Sequence, residues 1–343
     1  MKKINIEKVT IDPRARIVYA SYFIQGLYDI YGKKNVYFSL TPFIQLEQLN
    51  DNEAFDQYFA FVIKSNDRIK RVVIDYRDKT SINESAYNWC DIYGKVNLST
   101  IEKRDKIYAI GPNFGVKLWS KPISILYCLI NYLKSYKLIH VNFRYFMSGY
   151  NWQMKRNILS TYNKSHSDQK YVFFVSSLWP NDNTYQNTNQ LRAMFIRSCK
   201  SLSLNFIGGF YAKKTNPQYE IYKDLMITDY VDPDQYLSNI KKSAFVFNTP
   251  AVHYCHGWKL GEFFALGKAI ISTPLSNEMP SKVEHGKNIH FVNNEEELRQ
   301  AILKITNDDK YRLVLEQGAL SYYNKYLKPS ALIERLLNKP ELT

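Results

Sequence analysis

The run His253-Tyr254-Cys255-His256-Gly257-Trp258-Lys259-Leu260-Gly261-Glu262 sets a glycine-bearing loop, a basic side chain and a carboxylate close together. An apolar strand ending at Asn248 precedes it, and a helix is expected to begin near Gly257. Such a helix start presents backbone N–H groups and the positive end of a helix dipole, which together suit a diphosphate. Gly257, Trp258 and Leu260 would supply that helix start, and Lys259 would add a full positive charge beside it. Glu262 lies about one turn further on, where its carboxylate can accept hydrogen bonds from two vicinal ribose hydroxyls. His256 is a further contact for phosphate or sugar, set against the ordinary reading of a structural histidine. The loop 274–280, with Asn277, is the place expected to meet a sugar.

A second chemical grouping lies in the first half. Val72-Val73-Ile74-Asp75 reads as a strand, and Asp78 follows in its loop. A strand-terminal carboxylate facing a cleft is where a base that deprotonates an attacking hydroxyl would sit, so Asp75 and Asp78 are the catalytic candidates. The competing reading is a turn carboxylate bonded to its own backbone. Asp91 and Lys95 belong to a Cys-Asp-x-Tyr-x-Lys segment without an assigned role, although Lys95 could meet phosphate or face solvent.

The helix carrying Glu262 closes with Ala265-Leu266-Gly267-Lys268 and runs into the apolar strand Ala269-Ile270-Ile271-Ser272-Thr273. This segment resembles the nucleotide-sugar site in the C-terminal domain of GT-B glycosyltransferases of the bacterial surface-polysaccharide type. The resemblance continues through Glu284-His285-Gly286-Lys287-Asn288 and the strand after it, into an acidic-capped helix at 294–307. Retaining members often carry a second glutamate eight residues before the first, and here that position is Tyr254. The resemblance implies an α/β fold of two Rossmann-like doubly wound domains facing a cleft. An acceptor domain is expected over residues 1–165, a donor domain over 166–325, and a terminal helix over 326–343 crossing back to the first. It also implies transfer of a sugar from a nucleoside-diphosphate sugar to a hydroxyl of a glycan or lipid-linked glycan. That donor is a co-substrate, and no resident cofactor is expected. No metal is expected either, because the carboxylate-rich runs Asp232-Pro233-Asp234 and Asn307-Asp308-Asp309 read as a helix cap and a surface helix start. The alternatives are a sugar-nucleotide epimerase, a non-catalytic nucleotide- or glycan-binding protein, and a basic nucleic-acid-binding protein.

The elements that must position these residues alternate in type. In the second half, 171–175, 204–209, 244–248 and 269–273 read as strands, with 225–227 as a possible extra one. Helices over 190–200, 235–242 and 260–266 lie between them, giving a doubly wound pattern with its ligand crevice at the carboxyl ends of the strands. In the first half, 16–23, 35–39, 58–63, 71–75 and 106–110 read as strands of a largely parallel sheet. Residues 118–150 hold an apolar stripe, Ile123, Leu126, Tyr127, Ile130 and Leu133, at helical spacing and flanked by lysines. The expected reading is a core-facing helix, and the alternative is a membrane-facing amphipathic one. A break at Lys328-Pro329 should bend the terminal helical segment.

With 343 residues, 45% hydrophobic and 23% charged, the chain has the composition of an ordinary folded protein of two domains. Its four cysteines show no metal or disulfide spacing, and no apolar run reaches the ~18 residues of a membrane span, so a cytoplasmic protein is expected. The net charge of +14 favours anionic partners, among them an anionic membrane face where the protein would sit peripherally. Nucleic acid is not expected, because the lysines are spread along the chain and no helix-turn-helix, RRM or zinc motif occurs.

Overall fold

A computed structural model describes residues 8–47, 58–65, 68–180, 187–202 and 204–338. The last five residues of the terminal helix expected over 326–343 lie outside the described residues. The chain forms two compact units, one of residues 1–159 with 326–343 and one of residues 160–325.

The first unit is built on β1 (Lys8–Ile11), α1 (Ile17–Tyr31), β2 (Val36–Phe38), β3 (Tyr58–Ser65), β4 (Arg68–Asp75), α2 (Glu84–Trp89), β5 (Ile92–Lys95), β6 (Ile107–Ala109), α3 (Lys121–Ser135) and α4 (Phe143–Met154). Its six strands run in the order β2-β1-β3-β4-β5-β6. The β4–β5–β6 and β1–β2 pairs are parallel, whereas β3 runs antiparallel to both its neighbours. Ser65 at the end of β3 pairs with Arg68 at the start of β4, and strands so close in sequence can pair only by running in opposite directions. Residues 17–23, expected as part of a strand, instead open α1. There Ile17, Val18, Ala20, Tyr22, Phe23, Ile24 and Leu27 are buried nearly all round, so the run lacks the polar face that marks an amphipathic helix.

The second unit contains β7 (Tyr171–Ser177), α5 (Thr188–Ser201), β8 (Asn205–Tyr211), α6 (Pro233–Lys242), β9 (Phe245–Asn248), α7 (Trp258–Ala265), β10 (Ala269–Ser272), β11 (His290–Phe291), α8 (Glu295–Asn307) and α9 (Asp309–Tyr322). Two all-parallel ladders, β7–β8 and β9–β10–β11, meet where Ala244 N donates to Tyr171 O (2.8 Å) and Phe173 N donates to Ser243 Oγ (3.0 Å). The spatial order is therefore 8-7-9-10-11. The chain's direction of winding reverses between β7 and β9, and in such sheets ligands bind outside the carboxyl ends of those two strands. Met226 makes a single bridge to Phe210 rather than a full strand. Phe174, Phe195, Phe245 and Phe247 form the centre of this unit's core, with Phe195 and Phe247 stacked at 4.6 Å.

A π-helical turn, Tyr323–Leu327, ends α9, and α10 (Pro329–Leu337) follows the expected break. In the first unit α10 lies on α1, where Gly26 permits the approach: a Cβ there would stand 2.5 Å from Pro329 O.

Candidate functional site

At the carboxyl end of β9, residues 249–257 lead into α7, capped by Gly257. His253 and Tyr254 adopt consecutive left-handed conformations, with φ of 53° and 62°. Neither is a glycine, so this turn stores strain of roughly 1–3 kcal/mol per residue, and such strain clusters at ligand-handling loops. Tyr254, in the position of the second glutamate of retaining enzymes, is more than half exposed.

Glu262 sits one turn into α7, half-buried, with its Oε1 accepting from the Tyr162 hydroxyl at 3.3 Å. The phenol of Tyr236, on α6, lies near this carboxylate; desolvation of its hydroxyl and the Glu262 charge raise its pKa well above the usual value. The Tyr162 hydroxyl thus aims Glu262.

Lys259 departs from expectation. Its Nζ donates to Val175 O at the end of β7 and lies 5.5 Å from the Phe174 ring and 5.7 Å from the Tyr236 ring. Burial, with repulsion from Arg192, lowers its pKa to about 7 despite the opposing charge of Glu262. It therefore carries a partial positive charge near neutral pH, not the full one expected.

Arg192 is the residue that sequence reasoning missed. It rises from α5, 9% exposed, donates from Nε to Thr249 Oγ1 (3.1 Å) and from Nη1 to Ser177 O (3.4 Å), and stacks on Trp179. Its signal was present: Thr188, Asn189, Arg192, Ala193, Ile196 and Cys199 form the buried stripe of α5, so a cation occupies a core-spaced position. Arg192 and Lys259 hold the carboxyl ends of β7 and β9, the reversal point of the sheet.

The remaining candidates divide. Gly257 has an ordinary φ of −71°, and a Cβ there would meet only Ala251 Cβ at 3.7 Å, so the fold itself does not require glycine. Trp258 is half-buried at the helix start. Leu260 is fully buried core, and its N–H is spent on Gly257 O (3.1 Å), so it is withdrawn as a donor contact. His256 is buried, and desolvation lowers its pKa to about 4 although backbone bonds to Glu278 and Asn277 oppose this, so at neutral pH it is uncharged. Asn277 donates from Nδ2 to Tyr254 O (3.0 Å). His256 and Asn277 thus tie the loop after β10 to the loop after β9. An apolar groove of about 500 Å³ opens beside them, lined by Pro274, Leu275, Met279, Val283 and Phe291 among others.

In the first unit the structure removes Asp75 as a base. It is fully buried, with Lys95 Nζ at 2.9 Å, Arg77 Nη2 at 2.7 Å and the Tyr93 hydroxyl at 2.6 Å. Burial alone would raise its pKa, but the Lys95 charge and the Arg77 and Tyr93 hydrogen bonds outweigh it and hold the carboxyl below its usual range. Such a carboxylate is a poor proton acceptor and is sealed from any acceptor hydroxyl. Lys95, with no solvent exposure, meets Asp75 rather than phosphate, and Asp91 accepts from Arg71 N (2.7 Å), so the Cys-Asp-x-Tyr-x-Lys segment is a structural clamp. The same Asp/Glu-x-Arg fold-back recurs at Asp12–Arg14 and Glu102–Arg104. Asp78 is exposed on the loop after β4.

Asp232 caps α6 by accepting from Asp234 N and Gln235 N, and Asp308 caps α9 through Tyr311 N. Both carboxylate runs are therefore caps, and among the described residues no group of three or more His, Cys, Asp or Glu could hold a metal ion.

Residues 169–308 match the family model described as Glycosyl transferases group 1. That stretch is similar to a group 1 glycosyltransferase domain. It spans β7 to α8 and contains Arg192, Lys259 and Glu262. Among solved structures, the chain is similar to the C-terminal domain of a glycosyl transferase group 1 family protein, LpcC, from Francisella tularensis. The identity is 14%, over 50% of this chain and 97% of that one, with a TM-score of 0.38. It is also similar to MnaA of S. aureus, solved with UDP, at 13% identity over 97% and 98% of the two chains, with a TM-score of 0.42. For TarM the figures are 13% identity, 77% of this chain and 48% of that one, and a TM-score of 0.43. No curated protein matches the chain.

Proposed function

We propose that this chain transfers a glycosyl group from a nucleoside-diphosphate sugar to a hydroxyl of a glycan or lipid-linked glycan acceptor. The observation that carries the reading is the pair Arg192 and Lys259, a guanidinium that lowers the proton affinity of the neighbouring amine at the β7/β9 reversal point beside the start of α7. A diphosphate seated there would relieve their repulsion and take hydrogen bonds from the first turn of the helix. Gly257, which the fold does not require, leaves space for that approach. Glu262, aimed by Tyr162, would accept from the ribose hydroxyls. In the reaction the bond from the sugar's anomeric carbon to the diphosphate breaks, and a bond to the acceptor oxygen forms. The cations stabilise the charge that develops on the leaving diphosphate. The acceptor's proton passes to a carboxylate, for which Asp78 is the proposed base. No metal or resident cofactor enters this scheme, since side chains supply the positive charge, and synthesis of a surface polysaccharide is the proposed setting.

The test is thermal stabilisation of wild type and Glu262→Ala by UDP, GDP, CMP and ADP and their sugar conjugates. A ligand at ~100 times its dissociation constant adds about 2.7 kcal/mol to stability. One nucleotide family should stabilise the wild type, and the alanine variant should lose most of that shift. If no nucleotide stabilises the wild type, the proposal fails.

A further inference from the structure

Helix α3 is packed inside out. The side it buries carries Ser124, Cys128, Asn131 and Ser135, spaced four, three and four residues apart along one helical face. These meet α4 through polar contacts: Ser124 Oγ donates to Gln153 Oε1 at 3.4 Å, and Asn131 Nδ2 donates to the Tyr150 hydroxyl at 2.9 Å. The opposite face carries Ile125, Leu126, Leu129, Ile130 and Leu133, and it is open to solvent, with Leu126 56% and Leu133 70% exposed. The core-facing reading of the stripe Ile123, Leu126, Ile130 and Leu133 is therefore overturned; of its members only Tyr127 turns partly inward, against Trp119 and Phe38. Exposed aliphatic side chains in a contiguous row are unusual on a protein surface and mark a face that something covers.

Charge says what covers it. No Asp or Glu occurs between Asp105 and Asp168, while α3, α4 and their flanks carry Lys121, Lys134, Lys137, Arg144, Lys155 and Arg156. The neighbouring helix α4 exposes Trp152, with Lys155 Nζ 5.2 Å from its ring centre. An apolar row with flanking cations and an amphipathic aromatic is complementary to a surface that is apolar inside and anionic outside. A second copy of the same face would bring cations against cations with no carboxylate to offset them. We propose that the outward face of α3 lies in the interface of an anionic lipid bilayer, with Leu126, Leu129 and Leu133 entering the acyl boundary and Lys121 and Lys137 meeting lipid phosphates. No helix among the described residues is long and apolar enough to cross a membrane, so this contact would be made from one side.

The proposal is independent of the transferase reading and is tested on the full chain with sedimented vesicles. One set is phosphatidylcholine alone and the other contains about one-third phosphatidylglycerol. Wild type should bind the anionic set and be weakened by salt. The variant L126Q/L129Q/L133Q should bind on the order of a hundredfold more weakly, from three leucines that each leave water only part-way. K121S/K137S should lose about fivefold per lysine. Because the three leucines are exposed, the variant's melting temperature and nucleotide-induced shift should match wild type. Absence of wild-type binding to anionic vesicles, equal binding to both sets, or undiminished binding by the triple variant would each overturn the proposal. So would a concentration-dependent dimer that the triple variant dissolves, since the occupant would then be a second copy.

Discussion

The buried amine of Lys259 makes a quantitative prediction about donor binding. Its pKa of about 7 in the free protein follows from burial and from the nearby Arg192 guanidinium. A diphosphate placed against both cations reverses that balance, and the amine should then remain protonated well above neutral pH. Binding must therefore draw a proton from solution wherever the free amine is neutral. By linkage the uptake is about 0.1 proton at pH 6, about 0.5 at pH 7 and about 0.9 at pH 8. Affinity should fall with rising pH, approaching tenfold per unit above pH 8. Titration calorimetry with a nucleotide sugar, whose diphosphate does not titrate in this range, measures the uptake when run in two buffers of different ionisation enthalpy. His256 does not interfere, since its pKa of about 4 keeps it neutral throughout. The Lys259→Met variant should show no uptake near pH 8. Identical apparent enthalpies in the two buffers for wild type, or uptake that persists in Lys259→Met, would refute the placement of the diphosphate beside this amine.

Two further outcomes concern the scaffold. In Gly208→Ala the new Cβ would stand 1.8 Å from Phe174 O, on a residue whose φ is 148°. The variant should lose about 3 kcal/mol or more, seen as a melting temperature lower by about 10 °C; unchanged melting would show that the β7–β8 pairing is misplaced. Asp75→Asn leaves Lys95 buried without its counter-charge and should cost about 3–5 kcal/mol, whereas Asp78→Asn should leave stability unchanged and depress transfer. An Asp75→Asn protein that melts like wild type but has lost turnover would restore Asp75 as the base.

Much of the second unit was legible in the chain itself. Strand–helix alternation, the Asp232 cap, the Gly267 stop and the spacing from Asn248 to Glu262 depend on neighbours a few residues apart, and local geometry settles them; Gly208 and Gly209, by contrast, lie inside β8. The run 16–23 was misread for the complementary reason. A helix buried on all sides has no periodicity, so its apolar residues look like those of a buried strand until α10 is seen to cover it. The apolar stripe of α3 was correctly recognised as helical, but amphipathicity shows only that a helix has two faces. Which one turns inward depends on the partner, and α4 offers Gln153 and Tyr150 to the polar side.

The sequence by itself determined on which kind of element Lys259, Glu262 and Asp75 would lie, a matter of local pattern. Only the tertiary structure decided their electrostatic state. Asp75 became a sealed ion pair, Lys259 a half-charged amine and His256 a neutral staple, and Arg192 entered the site from a helix 70 residues from Glu262. Protonation and Coulomb energies depend on burial and on distances between chain segments far apart in sequence, and these exist only once the strands have taken their order.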